Sequence, residues 1–356
     1  MPFRAISGHR ALVALVARAI VRGSLPQSLI FAGPEGVGKR LTAISLAQAV
    51  NCPNAAAVAG DAAGDHAGDE ALAIDGCGAC SVCRRVAQGV HPDVIHLAAT
   101  EIGIDDIREA IETAGYRPFE GKRRVFILDT ADRLSNEIQN ALLKTLEEPP
   151  PSSSFVLVTS RPDMLLPTVR SRCPMLRFGR LPVADVERLL EQQHGVERAR
   201  AHAVAMAAEG SLGRAIVDAS DEGESTRQLV QQALAHLQGA RSPADRLRAA
   251  GMLLEPGEAR PKTRAKSGAS RYASDRDLLS QRLGIVSAVL RDIAATVTGA
   301  DQARVTNDLA PALQSWGARA GVDRLTAAFT AVGKAQAALD RNVSPKVILD
   351  WLAFQL

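Results

Sequence analysis

The chain has 356 residues, 46% of them hydrophobic and 23% charged, which is the composition of a globular protein with room for two or three domains. A net charge of +3 gives no electrostatic preference for a partner, and 3% aromatics argue against stacking platforms for single-stranded nucleic acid. No run of about 20 uncharged apolar residues occurs, and residues 1–10 lack the apolar stretch of a secretory signal, so the expected location is cytoplasmic, without membrane contact.

The pattern opens with a helix at Ala11–Ile20 and an apolar run, Ser28–Ala32, short enough for a buried strand. Gly33-Pro34-Glu35-Gly36-Val37-Gly38-Lys39 follows with G-x-x-x-x-G-K spacing, and a helix is expected at Leu41–Val50. Gly33, Gly36 and Gly38 let backbone N–H groups turn around phosphates. The helix N-terminus adds partial positive charge, and Lys39 would reach the terminal phosphates. The next position departs from a working phosphate loop. A Ser or Thr hydroxyl is needed there to ligate magnesium, whereas Arg40 has no acceptor atom and a fixed positive charge. Thr42 lies two residues along the helix, on a different face.

Residues 52–76 are rich in Ala, Gly and Asp and are expected to be a loose surface insertion. Cys77, Cys80 and Cys83 then form C-x-x-C-x-x-C, with Cys52 upstream. Four thiolates can hold zinc tetrahedrally, although the same tight triplet occurs in iron–sulfur proteins, so spacing alone leaves the metal open. A closed four-sulfur site has no free position for water and would be structural. His66 and His91 are nearby alternatives, but His91-Pro92-Asp93 reads as the entry to a strand.

Strands are expected at Asp93–Leu97, Val125–Leu128 and Phe155–Thr159, separated by helices at Ile104–Thr113 and Ser135–Leu146. This alternation implies an α/β fold with a mostly parallel sheet covered on both faces. Val125-Phe126-Ile127-Leu128-Asp129 is an apolar strand ending in a carboxylate. A working ATPase of this kind places a glutamate directly after that aspartate, to activate water. Here the residue is Thr130, and Asp132 lies too far on to replace it. After about residue 180 the strands stop, with helices at Val183–Glu191, Glu197–Glu209 and Gly213–Ser220 and helical patterning to the end. Residues 255–276, polar and basic, are expected to be a mobile loop.

Two runs, Asn140-Ala141-Leu142-Leu143-Lys144-Thr145-Leu146-Glu147-Glu148-Pro149-Pro150 and Leu165-Leu166-Pro167-Thr168-Val169-Arg170-Ser171-Arg172-Cys173, resemble hallmark sequences of the DNA clamp loader family of AAA+ proteins. With the phosphate loop and the cysteines, the resemblance spans roughly residues 5–220, and Asn342-Val343-Ser344 adds a point near the end. It implies an AAA+ P-loop core with a parallel sheet at 1–180, carrying a zinc-binding insertion at 52–83. A small helical lid domain at 181–222 and an all-α collar domain at 223–356 would follow. It favours zinc at Cys52, Cys77, Cys80 and Cys83.

Because Arg40 and Thr130 break the ATPase motifs, the sequence is similar to the non-hydrolysing, delta-prime type of bacterial DNA polymerase III subunit rather than to the motor type. The resemblance implies no competent ATP site in this chain. The implied partners are motor (gamma/tau) and delta subunits, with the sliding clamp and primed DNA met through the complex. Arg172 is implied to be an arginine finger for a neighbour's ATP site, Ser171 to fix the turn beside it and Cys173 to be a small buried side chain. Thr159 and Arg214 fall at positions that in working relatives sense phosphate, and Glu147 and Glu148 read as solvated or paired. The competing reading is an ATP-hydrolysing motor subunit.

Overall fold

A strand buried on both faces has no reason to alternate apolar with polar residues. β1 (Ser28–Ala32) is such a strand, with every residue buried. It lies inside a five-stranded sheet of order β4-β5-β6-β1-β7, formed with β4 (Val94–Ala98), β5 (Arg124–Asp129), β6 (Ser153–Thr159) and β7 (Met175–Arg177). All four pairings are parallel, as the alternation of strands and helices requires. Leu29 and Phe31 of β1 face one core with Val125, Ile127, Val156 and Val158. Ile30 and Ala32 face the other with Phe126, Leu128, Phe155 and Leu157. Phe126 and Phe155 are register partners and stack with centroids 4.8 Å apart.

The computed structural model describes residues 2–58, 72–99, 101–255, 268–299, 311–341 and 343–356. They divide into two compact units, Met1–Leu189 with Gly210–Gly213, and Leu190–Glu209 with Arg214–Leu356. In the first unit, α1 (Arg10–Val21) and α2 (Lys39–Asn51) cover one face of the sheet. α4 (Ile104–Ala114) and α5 (Asn136–Glu147) cover the other. α3 (Ser81–Gln88) follows the cysteine triplet, and α6 (Pro167–Arg170) is a single turn before β7.

The second unit is helical: α8 (Arg198–Ala207), α10 (Asp221–Gly239), α11 (Pro243–Gly251), α12 (Gly268–Thr298), α13 (Pro311–Asp340) and α14 (Pro345–Leu352). α7 (Val183–His194) and α9 (Leu212–Ala219) run from the first unit's residues into the second's. Leu283, Val286, Leu290, Leu325, Val332 and Leu352 belong to its single core. A Cβ on Gly317 of α13 would stand 2.3 Å from Ile293 of α12, so glycine there permits close helix packing. Gly321 (φ 74°) breaks α13 into two segments. No helix among the described residues is long and apolar enough to cross a membrane.

Three expectations need correction. The segment 52–76 is not uniformly loose, because β2 (Ala56–Val58) and β3 (Leu72–Asp75) pair as an antiparallel ribbon. Residues 59–71, including His66, lie outside the described residues. β7 was not expected. It has only three residues, and its partly exposed pattern gives no strand periodicity. Of the loop expected at 255–276, residues 268–276 open helix α12, while 256–267 lie outside the described residues, as does Asn342.

Candidate functional site

The phosphate loop joins β1 to α2, as the sequence requires. Gly33 approaches the backbone so closely that a Cβ would stand 2.2 Å from the Phe178 carbonyl oxygen. Gly36 (φ 72°) and Gly38 (φ 100°) adopt the left-handed conformations that a side chain disfavours. The Gly36 carbonyl accepts a hydrogen bond from the Gly213 N–H at 2.9 Å, and the Val37 carbonyl lies 3.1 Å from His9 Nε2. The brace from Gly213, residue-distant in the chain, left no local signal in the sequence. Lys39 is 6% exposed. Its ammonium donates to the carbonyls of Gly33 (2.7 Å) and Pro34 (2.5 Å). Burial lowers its pKa, while the charges of Glu35, Asp132 and Asp129 oppose the shift.

Arg40 points its guanidinium at Asp129, Nε to Oδ2 3.5 Å, so the positive charge adjacent to the loop is built into the chain. Asp129 Oδ1 accepts the Thr130 N–H, and the Thr130 hydroxyl donates back to the Asp129 carbonyl. Thr130 takes a left-handed conformation (φ 51°), and this side chain offers no carboxylate to a water. The residues do not fit a magnesium–nucleotide complex, since the position that should supply a hydroxyl ligand carries a competing cation. Thr42, as expected, is turned elsewhere, its hydroxyl bonding the Gly38 carbonyl.

Thr159 donates to Asp132 Oδ1 at 2.8 Å, and Asp132 also accepts from the Ser160 N–H and Arg161. Arg214, in the second unit, lies 3.5 Å from Asp218 and donates to the Gly284 carbonyl. His96 has an Nε2 atom without a hydrogen-bond partner among the described residues. Burial, then the charge of Arg40, holds its pKa down.

Cys52, Cys77, Cys80 and Cys83 are brought together, all four sulfurs within 4.8 Å of one another. Cys52 and Cys80 are 3.8 Å apart, and Cys77 and Cys83 4.0 Å. A tetrahedron of sulfurs at about 2.3 Å from zinc has edges of about 3.8 Å, so the spacing fits. The N–H groups of Cys77, Cys80 and Cys83 each donate to a sulfur of the cluster. The Cys80 N–H and then the Ala79 N–H pull the Cys77 thiol down to about 6, whereas burial pushes Cys52 and Cys83 up. A bound cation would resolve that conflict by favouring four thiolates together. Gln48 of α2 donates to the Cys83 carbonyl, and Cys52 caps the end of α2, so the cluster is anchored to the helix that carries the phosphate loop. Arg4 closes the outer side through the Gly76 and Cys77 carbonyls and Asp75. His91 is used otherwise, its Nδ1 accepting the Asp93 N–H and its Nε2 lying 3.3 Å from Glu120 Oε1.

Arg172 follows the single turn of α6. Its Nε donates to Glu147 Oε2 at 2.9 Å and its Nη1 to the Thr168 carbonyl at 3.1 Å. The pair joins the two hallmark segments, and the guanidinium remains partly exposed. Ser171 bonds the Thr168 carbonyl, fixing the turn. Cys173 is buried, with its thiol raised to about 11 by that burial.

Residues 8–182 match the family described as "DNA polymerase III, delta subunit". DNA polymerase III subunit tau of Escherichia coli (strain K12) is 31% identical over 66% of this chain and 36% of its own length. Gamma/tau of Mycoplasma genitalium is 34% identical over 50% of this chain and 28% of its own. Tau of Bacillus subtilis (strain 168) is 31% identical over 59% and 36%. The chain therefore spans only about a third of the length of these relatives. A solved gamma subunit-related protein of Thermotoga maritima aligns over 96% of this chain and 97% of its own at 14% identity, with a TM-score of 0.44. Residues 8–182 are thus similar in sequence to subunits of DNA polymerase III.

Proposed function

We propose that this chain is a delta-prime-type subunit that takes part in ATP-driven clamp loading without hydrolysing ATP itself. The observation that carries the reading is the Arg40–Asp129 pair, an arginine where magnesium would bridge protein and phosphate. Thr130, bonded back onto Asp129, supports it from the other side of the site. The chain would assemble with motor (gamma/tau) and delta subunits in the cytoplasm and meet the sliding clamp and primed DNA through that complex.

Arg172 would act in trans as the arginine finger. A planar guanidinium can bond phosphate oxygens and offset charge that develops during phosphoryl transfer. Partial exposure makes it available, and the Glu147 pair holds it in place. Zinc at Cys52, Cys77, Cys80 and Cys83 would be structural, with no position left for water. Residues 1–180 would be the AAA+ core, 181–222 the lid and 223–356 the collar. Exposed Val347 and Trp351 lie four residues apart on α14, with exposed Val343 just before the helix and Phe354 just after it, a stripe suited to packing against another subunit's helix.

The second reading, a motor subunit, draws on the gamma/tau names of the curated relatives. ATP turnover by the isolated chain separates the two. The non-hydrolysing reading expects none above background with magnesium. Robust magnesium-dependent turnover that is lost in Lys39→Ala would establish the motor instead.

A further inference from the structure

We infer that the loop Gly33–Lys39 takes a diphosphate group without a divalent cation, Arg40 supplying the positive charge that a metal would otherwise bring. This rests on reading residues 33–39 as a phosphate loop and extends it to the ligand's chemistry.

Four observations lead there. The backbone N–H groups of Gly36, Val37 and Gly38 donate to nothing among the described residues, although the loop's carbonyls at Gly33, Pro34, Gly36 and Val37 are all engaged. The loop has therefore satisfied its acceptors and kept its donors, the polarity an anion requires. Lys39 is held over the same loop by the Gly33 and Pro34 carbonyls, and the charges of Glu35, Asp132 and Asp129 oppose the lowering of its pKa by burial. Asp129, the carboxylate that would hold magnesium in a working site, accepts from the Thr130 N–H on one oxygen and faces Arg40 on the other. A metal would have to displace a cation tethered one residue from Lys39, at high effective concentration. His96 stays neutral beside Arg40, so it adds no charge that would hinder the guanidinium.

Metal-free binding thus needs only groups this chain holds: three amides, the Lys39 ammonium and the Arg40 guanidinium. Diphosphate is the shared chemistry of a nucleoside diphosphate and inorganic pyrophosphate. A base-binding contribution would appear as tighter binding of the nucleotide.

Calorimetric titration of the full chain with ADP and with pyrophosphate, each in magnesium and in EDTA, tests this. At least one ligand is expected to bind with a Kd that changes by less than about twofold between the two buffers. Arg40→Ser should weaken binding in EDTA by about tenfold and make magnesium restore it, and Lys39→Ala should remove binding in both. Arg40 is largely exposed, so its replacement tests charge rather than folding. Binding of neither ligand, tightening of the wild-type chain by about tenfold or more with magnesium, or unchanged metal-free binding in Arg40→Ser would each overturn the inference. Loss of binding would leave the non-hydrolysing reading standing, whereas turnover would overturn that reading, so the two failures are distinct.

Discussion

Lys39 and Arg40 are neighbours in sequence whose charges go to different places, one to the loop carbonyls and one to Asp129. The identity of each residue was legible, because glycine spacing and a missing hydroxyl are written locally. The partner was not. Arg40 meets Asp129 only because β1 and β5 flank β6 in the same sheet, an arrangement set by pairing across the whole core. The same limit applies to Arg172, whose motif named it while Glu147 came from the other hallmark run. The fit at Gly33 gives a test at this scale. Gly33→Ala should cost at least about 2 kcal/mol, because its Cβ meets backbone rather than a side chain that can move. Gly179→Ala, with nothing within 4 Å of the added atom, should shift stability by less than about 0.5 kcal/mol. Denaturant unfolding of the two variants checks the contrast.

Helices and long strands were readable from period and length, with ends displaced by up to three residues. α2 ran Lys39–Asn51 where Leu41–Val50 was expected. β7 and the β2–β3 ribbon were not readable, since strands of three or four residues carry too little pattern to separate from loop. The cysteine cluster is an element-scale feature of another kind. Cys52 ends α2, Cys80 caps α3, and the β2–β3 ribbon spans the gap between them. If zinc holds it, purified chain should contain about one zinc per molecule by elemental analysis. Cys83→Ser should bring that below about half and lower the Tm, because a buried ligand is lost. Full-length, stably folded protein without metal would remove zinc from the account.

At the scale of the molecule, the helical second unit gave the sequence reading only its class. Its core is specified by volume and contact rather than by motif, and the family match over residues 8–182 does not reach it. What it does expose is the α14 stripe. Val347→Asp should weaken subunit assembly by about tenfold or more while leaving the isolated chain's Tm nearly unchanged, since Val347 is already exposed. Analytical ultracentrifugation of reconstituted mixtures, alongside thermal unfolding, measures both.

On the proposed reading, function at this scale depends on another chain's ATP, and one measurement addresses that dependence directly: clamp- and DNA-stimulated ATP turnover by complexes reconstituted with wild-type or Arg172→Ala protein. The account predicts that the variant assembles normally but lowers turnover by about tenfold or more, the loss concentrated at the adjoining site. Full assembly with unchanged turnover and clamp loading would contradict it.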